Sequence, residues 1–252
     1  MSEKLIKEDI NKILKIMGLN NETFKPKPVI DVIILSYCNN ESIRQMNINC
    51  IDSLNNSSNN FKFNIILVET DSSKPHKYPQ PNVMVIQPHE KFNYNRFLNI
   101  GLKFCNNDWV LITNNDTIYH KNFIDNMMNA HSNDPELLSM SPMDDDSGYQ
   151  AELGLNKDVH YGYGIMKELV GWSILLSKKI LDIIGDFDED FTFLYQDADY
   201  AKKLENNNIK HGCVTNAKAK HLVNVSHGLV EPDEYEKMTS GMEKVFNNKW
   251  GN

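Results

Sequence analysis

The sequence predicts an α/β protein, a single domain on a mainly parallel central sheet flanked by helices. Three observations carry this. Val29–Ser36 is a continuous β-branched run of the kind that forms a strand buried on both faces. From there to Ser132, strand-like and helix-like segments alternate, the pattern of right-handed βαβ crossovers. The composition, 40% hydrophobic and 24% charged over 252 residues, is that of a chain with apolar surface enough for a real core.

Taken in order, residues 3–17 place Leu5, Ile6, Ile10, Ile13, Leu14 and Met17 at helical spacing, and Gly18 is suited to end that helix. Lys25-Pro26-Lys27-Pro28 then reads as an extended link, so residues 1–28 form an N-terminal helix and linker ahead of a domain at 29–252. After the Val29–Ser36 strand come a helix over Glu41–Leu54, a strand over Asn64–Glu69 and a short strand over Val83–Gln87. A helix over Asn93–Asn106, a strand over Trp109–Thr113 and a helix over Lys121–Ser132 follow. The second half predicts strands at Leu137–Met143 and Leu169–Leu176, and helices at Lys178–Ile184 and Tyr195–Asn206. Two short strands near Lys210–Thr215 and Ala219–Val223 precede a closing helix at Glu231–Phe246, with Pro232 tolerable in its first turn.

Composition also excludes function classes. The longest apolar runs are far too short to span a bilayer, and the first is broken by Asp31. The N-terminus mixes acids and bases, unlike a secretory signal. A net charge of −8 disfavours a general phosphate-tracking surface. Cys38, Cys50, Cys105 and Cys213 form no CxxC pair, so neither a thiolate zinc site nor a disulfide framework is expected, and free thiols fit a reducing, cytoplasmic setting.

In parallel α/β sheets ligands bind outside the carboxyl ends of the strands. Here the first strand ends in Ser36-Tyr37-Cys38-Asn39, the second in Glu69-Thr70-Asp71-Ser72-Ser73, and the fourth in Thr113-Asn114-Asn115-Asp116-Thr117. Three strands thus deliver carboxylates, amides and hydroxyls to one rim. Glu69, an acceptor-only carboxylate, suits a base presenting a ring N–H, such as uracil, thymine or guanine. Asp116 is a hard oxygen ligand able to hold a cation against a diphosphate, and His221 near the same rim completes a mixed N/O set of the sort Mn²⁺ accepts. Asp197, led in by the apolar run Phe191–Tyr195, is either a helix cap or a carboxylate presented at a partly buried wall as a general base.

Read together, these landmarks make the chain resemble nucleotide-sugar glycosyltransferases of the GT-A (Rossmann-like) fold in glycosyltransferase family 2. Val68-Glu69-Thr70-Asp71-Ser72 resembles the family's Val-Asp-Asn-x-Ser, and Asn99-Ile100-Gly101 its Asn-x-Gly. Leu111–Thr117 resembles the Asp-x-Asp segment, Gly171-Trp172 the step beside the acceptor site, and Phe193–Tyr200 the catalytic Glu-Asp-x-Asp helix. His221 falls where a metal-binding His is expected. The resemblance implies a nucleotide-binding half at 29–118 and an acceptor and catalytic half at 119–252.

By position, the resemblance implies Asp197 as catalytic base and Asp116 with His221 as ligands of Mn²⁺ or Mg²⁺. Ser36, Tyr37, Asn39, Glu69, Ser72, Asn99, Asn114 and Asn115 would bind the nucleoside diphosphate sugar, with UDP the first choice of nucleotide. Gly171, Trp172, Gln196 and Asp199 would shape the acceptor and sugar pocket. Asn114 replaces the first Asp of Asp-x-Asp, and Gln196 replaces the acid before the base. The implied reaction is inverting transfer to a hydroxyl of a glycan or lipid-linked saccharide, with Ser226-His227-Gly228 as a lid. Self-association through the N- or C-terminal helix, and a peripheral place at the inner membrane face, are compatible with this pattern. Competing readings are a viral-type enzyme acting on hydroxymethylated DNA and a silent nucleotide-sugar-binding module. A nucleotidyltransferase lacks its Gly-rich phosphate loop here.

Overall fold

The computed structural model describes residues 26–70, 76–146, 148–222, 236 and 240–251. The expected N-terminal helix, Ser72 and the 226–228 lid lie outside the described residues. Nine strands form one sheet: β1 (Val29–Ser36), β2 (Lys62–Glu69), β3 (Val83–Ile86), β4 (Trp109–Asn114), β5 (Thr117–Tyr119), β6 (Leu137–Asp144), β7 (Val159–Tyr161), β8 (Ser173–Ser177) and β9 (Lys210–His221). They lie in the order β3-β2-β1-β4-β8-β6-β9-β5, with β7 paired to β9. The helices are α1 (Glu41–Asn55), α2 (Tyr94–Leu102), α3 (Phe123–Asn133), α4 (Lys179–Ile184), α5 (Gln196–Asn206) and α6 (Met242–Trp250). Among the described residues no helix is long and apolar enough to cross a membrane.

The first four strands are parallel, as the alternation of strands and helices requires. Their side chains point alternately to the two faces, and both faces are buried. Ile30, Val32 and Ile34 of β1, with Phe63, Ile65 and Leu67 of β2, pack under Cys50, Ile51 and Leu54 of α1 and Phe123, Ile124 and Met127 of α3. Ile33, Ile66, Val68, Val110 and Ile112 pack on the other face with Phe97 and Leu98 of α2, Ile180 of α4 and Tyr200 and Leu204 of α5. Asn40 and Asn93 start α1 and α2 by accepting the backbone N–H of Ile43 and Arg96, each at 3.0 Å. At Gly101 in α2 a Cβ would stand 2.9 Å from Ile33 Cγ2, so only glycine lets this helix approach the sheet so closely.

Asp31 interrupts the apolar run of β1 because it is a buried acceptor hub. Its carboxylate receives the backbone N–H of Asn106 (2.6 Å) and Asn107 (2.7 Å) and the side-chain amides of Asn107 (2.8 Å) and Asn64 (2.7 Å). Four donors offset its desolvation and fix the turn before β4.

The other half is mixed. β8 runs antiparallel to both β4 and β6, whereas β6 and β9 are parallel. The two short strands expected at 210–215 and 219–223 are one continuous β9, kept in register with β6 by irregularities opposite Pro142–Met143. The expected strand at 169–176 begins only at Ser173, which leaves Gly171 and Trp172 in the turn before it. The last described helix runs over Met242–Trp250 after Gly241 in the left-handed region (φ 83°), and the expected start of the closing helix at residue 231 lies outside the described residues.

This topology gathers the functional residues. β1, β2 and β4 end side by side, and the antiparallel β8 starts where β4 stops: Thr113 pairs with Ser173, and Asn114 N–H donates to the Trp172 carbonyl at 2.9 Å. The β5–β9 ladder sets Thr117 opposite His221, which carries the end of β9 back beside Asp116.

Candidate active site

The β5–β9 register brings His221 Nε2 to 3.2 Å from Asp116 Oδ1. Asp116 is almost wholly buried, and its Oδ1 accepts no hydrogen bond among the described residues. Two acceptor-type atoms this close share either one proton or one cation. Cis ligands in an octahedral site with bonds of about 2.1 Å lie about 3.0 Å apart, so the pair fits Mn²⁺ or Mg²⁺. The His221 ring is fixed from one side by Trp172, stacked at 5.0 Å between centroids and 7° between planes. Asn114 Nδ2 lies 3.5 Å from the same Nε2, so the residue standing in place of an Asp still borders the site.

Asp197 packs against Gly171. A Cβ on Gly171, the neighbour of Trp172, would lie 2.9 Å from Asp197 Oδ2, so the absent side chain is what gives the carboxylate its place. Asp197 Oδ1 accepts the backbone N–H of Ala198 at 2.9 Å. Burial pushes its pKa above the usual carboxylate value, against the lowering effect of these N–H groups. Leu194 and Tyr195, directly before α5, both adopt left-handed backbone (φ 71° and 60°), costly for non-glycine residues and characteristic of functional turns. Gln196 Oε1 is buried with no partner among the described residues, an acceptor left over beside the base.

Two participants have no motif in the sequence. One is Tyr94, whose phenol has its pKa raised by burial, then by the charges of Asp197 and Asp116. Its backbone N–H donates to Thr192 O at 2.8 Å, tying the start of α2 to the segment before Asp197. The second is Asn47 of α1. Its fully buried amide donates to Ser36 Oγ and to Tyr78 Oη, each at 2.7 Å, and accepts from Asn115 Nδ2 at 2.7 Å. Ser36 and Asn115 are thereby clamped to each other across the ends of β1 and β4.

At the β2 end, Glu69 is fully buried and its Oε1 accepts the Cys38 N–H at 2.8 Å. Burial, then the Glu69 charge, pushes the Cys38 thiol up to about 11. Tyr37 and Asn39 stand exposed at the mouth of this rim, with Asn39 Oδ1 accepting from Asn40 Nδ2 at 2.7 Å. Alongside α5, a cavity of about 340 Å³ is lined by Tyr163, Ile165, Ala198, Ala201, Lys202 and Phe246.

Two expected pocket residues are committed elsewhere. Asn99 spends its amide on the 187–189 turn: it donates to Phe187 O (2.8 Å) and Glu189 Oε1 (3.1 Å) and accepts the Phe187 N–H (3.0 Å). These bonds brace α2 against the 187–189 turn. Asp199 is buried under α6, where Lys249 Nζ (2.6 Å) and Trp250 Nε1 (3.0 Å) hold one carboxylate oxygen and Lys203 Nζ lies 3.6 Å from the other. These partners tie α5 to the closing helix.

The family model for Glycosyl transferase family 2 matches residues 31–199, well over half of the chain. The chain belongs to glycosyl transferase family 2. The matched span opens in β1 and closes in α5, so it includes Glu69, Asn114–Asp116, Gly171-Trp172 and Asp197, while His221 lies beyond it. No curated protein sequence matches the chain significantly. Among solved structures, it is similar to GalNAc-T7 with UDP, GalNAc and Mn²⁺ (TM-score 0.61, 12% identity, covering 81% of this chain and 44% of that one). It is also similar to the mannosyltransferase PcManGT from Pyrobaculum calidifontis in complex with GDP-Man and Mn²⁺ (TM-score 0.59, 15% identity, 81% and 60%). The chain thus has the GT-A fold and spans less than two thirds of either enzyme's length.

Proposed function

We propose that this family member transfers a sugar from a nucleoside diphosphate donor, UDP foremost, to an acceptor hydroxyl with inversion, using Asp197 as the base. The observation that carries this reading is that the consecutive residues Gly171 and Trp172 serve both halves of the chemistry. Gly171 makes room for Asp197, and Trp172 is stacked on His221 of the Asp116 pair. Both similar structures hold a nucleotide or nucleotide sugar with Mn²⁺, which supports the donor class.

Glu69, with Tyr37 and Asn39 at the mouth, takes the nucleobase: a carboxylate accepts the ring N–H of uracil. Asp116 and His221 would hold the divalent cation, which when bound neutralises the charge that develops on the departing diphosphate. Asp197 takes the proton of the acceptor hydroxyl as that oxygen attacks the anomeric carbon. The bond from that carbon to the diphosphate oxygen breaks, and its electron pair leaves with the nucleotide. Desolvation of Asp197 raises its pKa and makes it a stronger base than an ordinary carboxylate. The half-apolar, aromatic lining of the cavity beside α5 suits a saccharide acceptor, free or lipid-linked, approaching past Ala198.

A thermal-shift and donor-hydrolysis screen of UDP-, dTDP- and GDP-sugars, with and without Mn²⁺, tests this. Stabilisation by UDP that requires Mn²⁺, with slow hydrolysis of one UDP-sugar, is expected. No stabilisation by any nucleotide in either condition would remove the reading.

A further inference from the structure

Beyond the Asp116–His221 pair, a second cluster of metal-ligand chemistry lies at the other end of the rim. Cys38 after β1, Glu69 at the end of β2 and His76 each offer one ligand atom, and the three atoms lie within 4.8 Å of one another. Cys38 Sγ is 3.6 Å from His76 Nδ1. A tetrahedral site with Zn–S of about 2.3 Å and Zn–N of about 2.0–2.1 Å has an S···N edge of about 3.6 Å, so two of the ligands already stand at the required separation. His76 Nε2 has no hydrogen-bond partner among the described residues, so Cys38 is the polar group that the ring faces. Cys38 and Glu69 are buried, which favours a closed set of charges over separate ones.

We propose that Cys38, Glu69 and His76 bind a thiophilic divalent cation of the zinc class, and that this cation and the nucleobase exclude each other at Glu69. The competition, though not the metal binding, rests on the reading of Glu69 given above. On binding, the Cys38 thiol releases its proton to solvent, and thiolate, carboxylate and M²⁺ sum to zero charge within the buried rim. Soft sulfur separates this site from the nitrogen and oxygen pair of His221 and Asp116, which suits Mn²⁺ or Mg²⁺. The fourth position stays open to water, as in sites with three protein ligands. Zinc held here would switch off donor binding.

The test uses the full chain and Co²⁺ as the spectroscopic probe, with Mn²⁺ present to fill the other site. One equivalent of Co²⁺ is expected to give thiolate-to-cobalt charge-transfer absorption that disappears in Cys38→Ser and in His76→Gln and persists in Asp116→Asn. A spectrum without that band, or a band that survives Cys38→Ser because Cys50, Cys105 or Cys213 provides it, overturns the site. In the same buffer, Zn²⁺ is expected to weaken UDP binding by about tenfold or more in the wild type and not in Cys38→Ser, the loss that follows from removing one charge-assisted hydrogen bond. A cobalt band at Cys38 with unchanged UDP affinity overturns the competition and takes Glu69 away from the nucleobase, while leaving the metal site standing.

Discussion

Asp197 and Gly171 form a pair in which the missing side chain matters as much as the one present. Gly171→Ala would set a methyl group 2.9 Å from Asp197 Oδ2, closer than carbon and oxygen tolerate, so the carboxylate must turn away. We expect this variant to bind UDP normally and to lose about 10²-fold or more in kcat, the sensitivity of catalysis to a misplaced group; binding and turnover that fall together would indicate a wider collapse. The raised pKa of Asp197 has a definite sign. The base must be ionised, so kcat/KM should rise with pH through a value above the ordinary carboxylate range, and a rate profile flat down to pH 4 would contradict this. The apolar run ahead of Asp197 made its partly buried position at the start of α5 legible, while its role as base is our proposal. The sequence concealed Asn47 and Tyr94, because a single Asn or Tyr inside a helical pattern looks the same whether it faces solvent or a buried network. The bonds of Asn99 to Glu189 and of Asp199 to Lys249 were hidden as well, because those partners lie 90 and 50 residues away in the chain.

At the scale of elements, α6 is held by a small electrostatic tether. Asp199 on α5 receives Lys249 and Trp250, while Met242 and Phe246 bury the same face of α6. Lys249 also pairs with Asp188, so one ammonium group ties α6 to both the base-bearing helix and the 187–189 turn. Lys249→Met should cost on the order of 1–2 kcal/mol, because Lys249 is partly exposed while Asp199 loses a charged partner in a buried position. Urea unfolding would read this as a lower midpoint at unchanged slope. An unchanged midpoint would show that apolar packing alone holds the helix. Helical spacing could not show which face of α6 is buried, since that face is set by contacts with Phe191 and Tyr195. The single β9 was equally hidden. The stretch Asn216–Lys218 reads as a break between two strands, yet β9 runs through it: the pairing with β6 skips from Val214 to Lys218 across an irregularity that sequence periodicity cannot register.

The whole molecule is an α/β sheet whose first half was legible because two-faced burial writes itself as β-branched runs. The second half mixes strand directions, and direction leaves no mark on short strands. Its core holds a titrating group that couples stability to pH. His211 Nδ1 lies 2.8 Å from Ser139 Oγ and its Nε2 lies 3.0 Å from Glu168 O, and burial lowers its pKa from 6.5 to about 4. The unfolded chain therefore takes up a proton that the native state refuses. Stability is full above pH 6.5 and falls toward pH 4, by about 3 kcal/mol from this group. Urea midpoints measured at pH 7 and 4.5 should differ by less in His211→Asn than in the wild type, and equal slopes would assign the effect to other groups. The measurement that tests the central claim most directly is turnover by Asp197→Asn beside its affinity for UDP with Mn²⁺. Transfer should fall by about 10²–10⁴ in kcat while nucleotide affinity stays at the wild-type value. Near-normal turnover in that variant would contradict Asp197 as the base and, with it, the account of how this rim performs transfer.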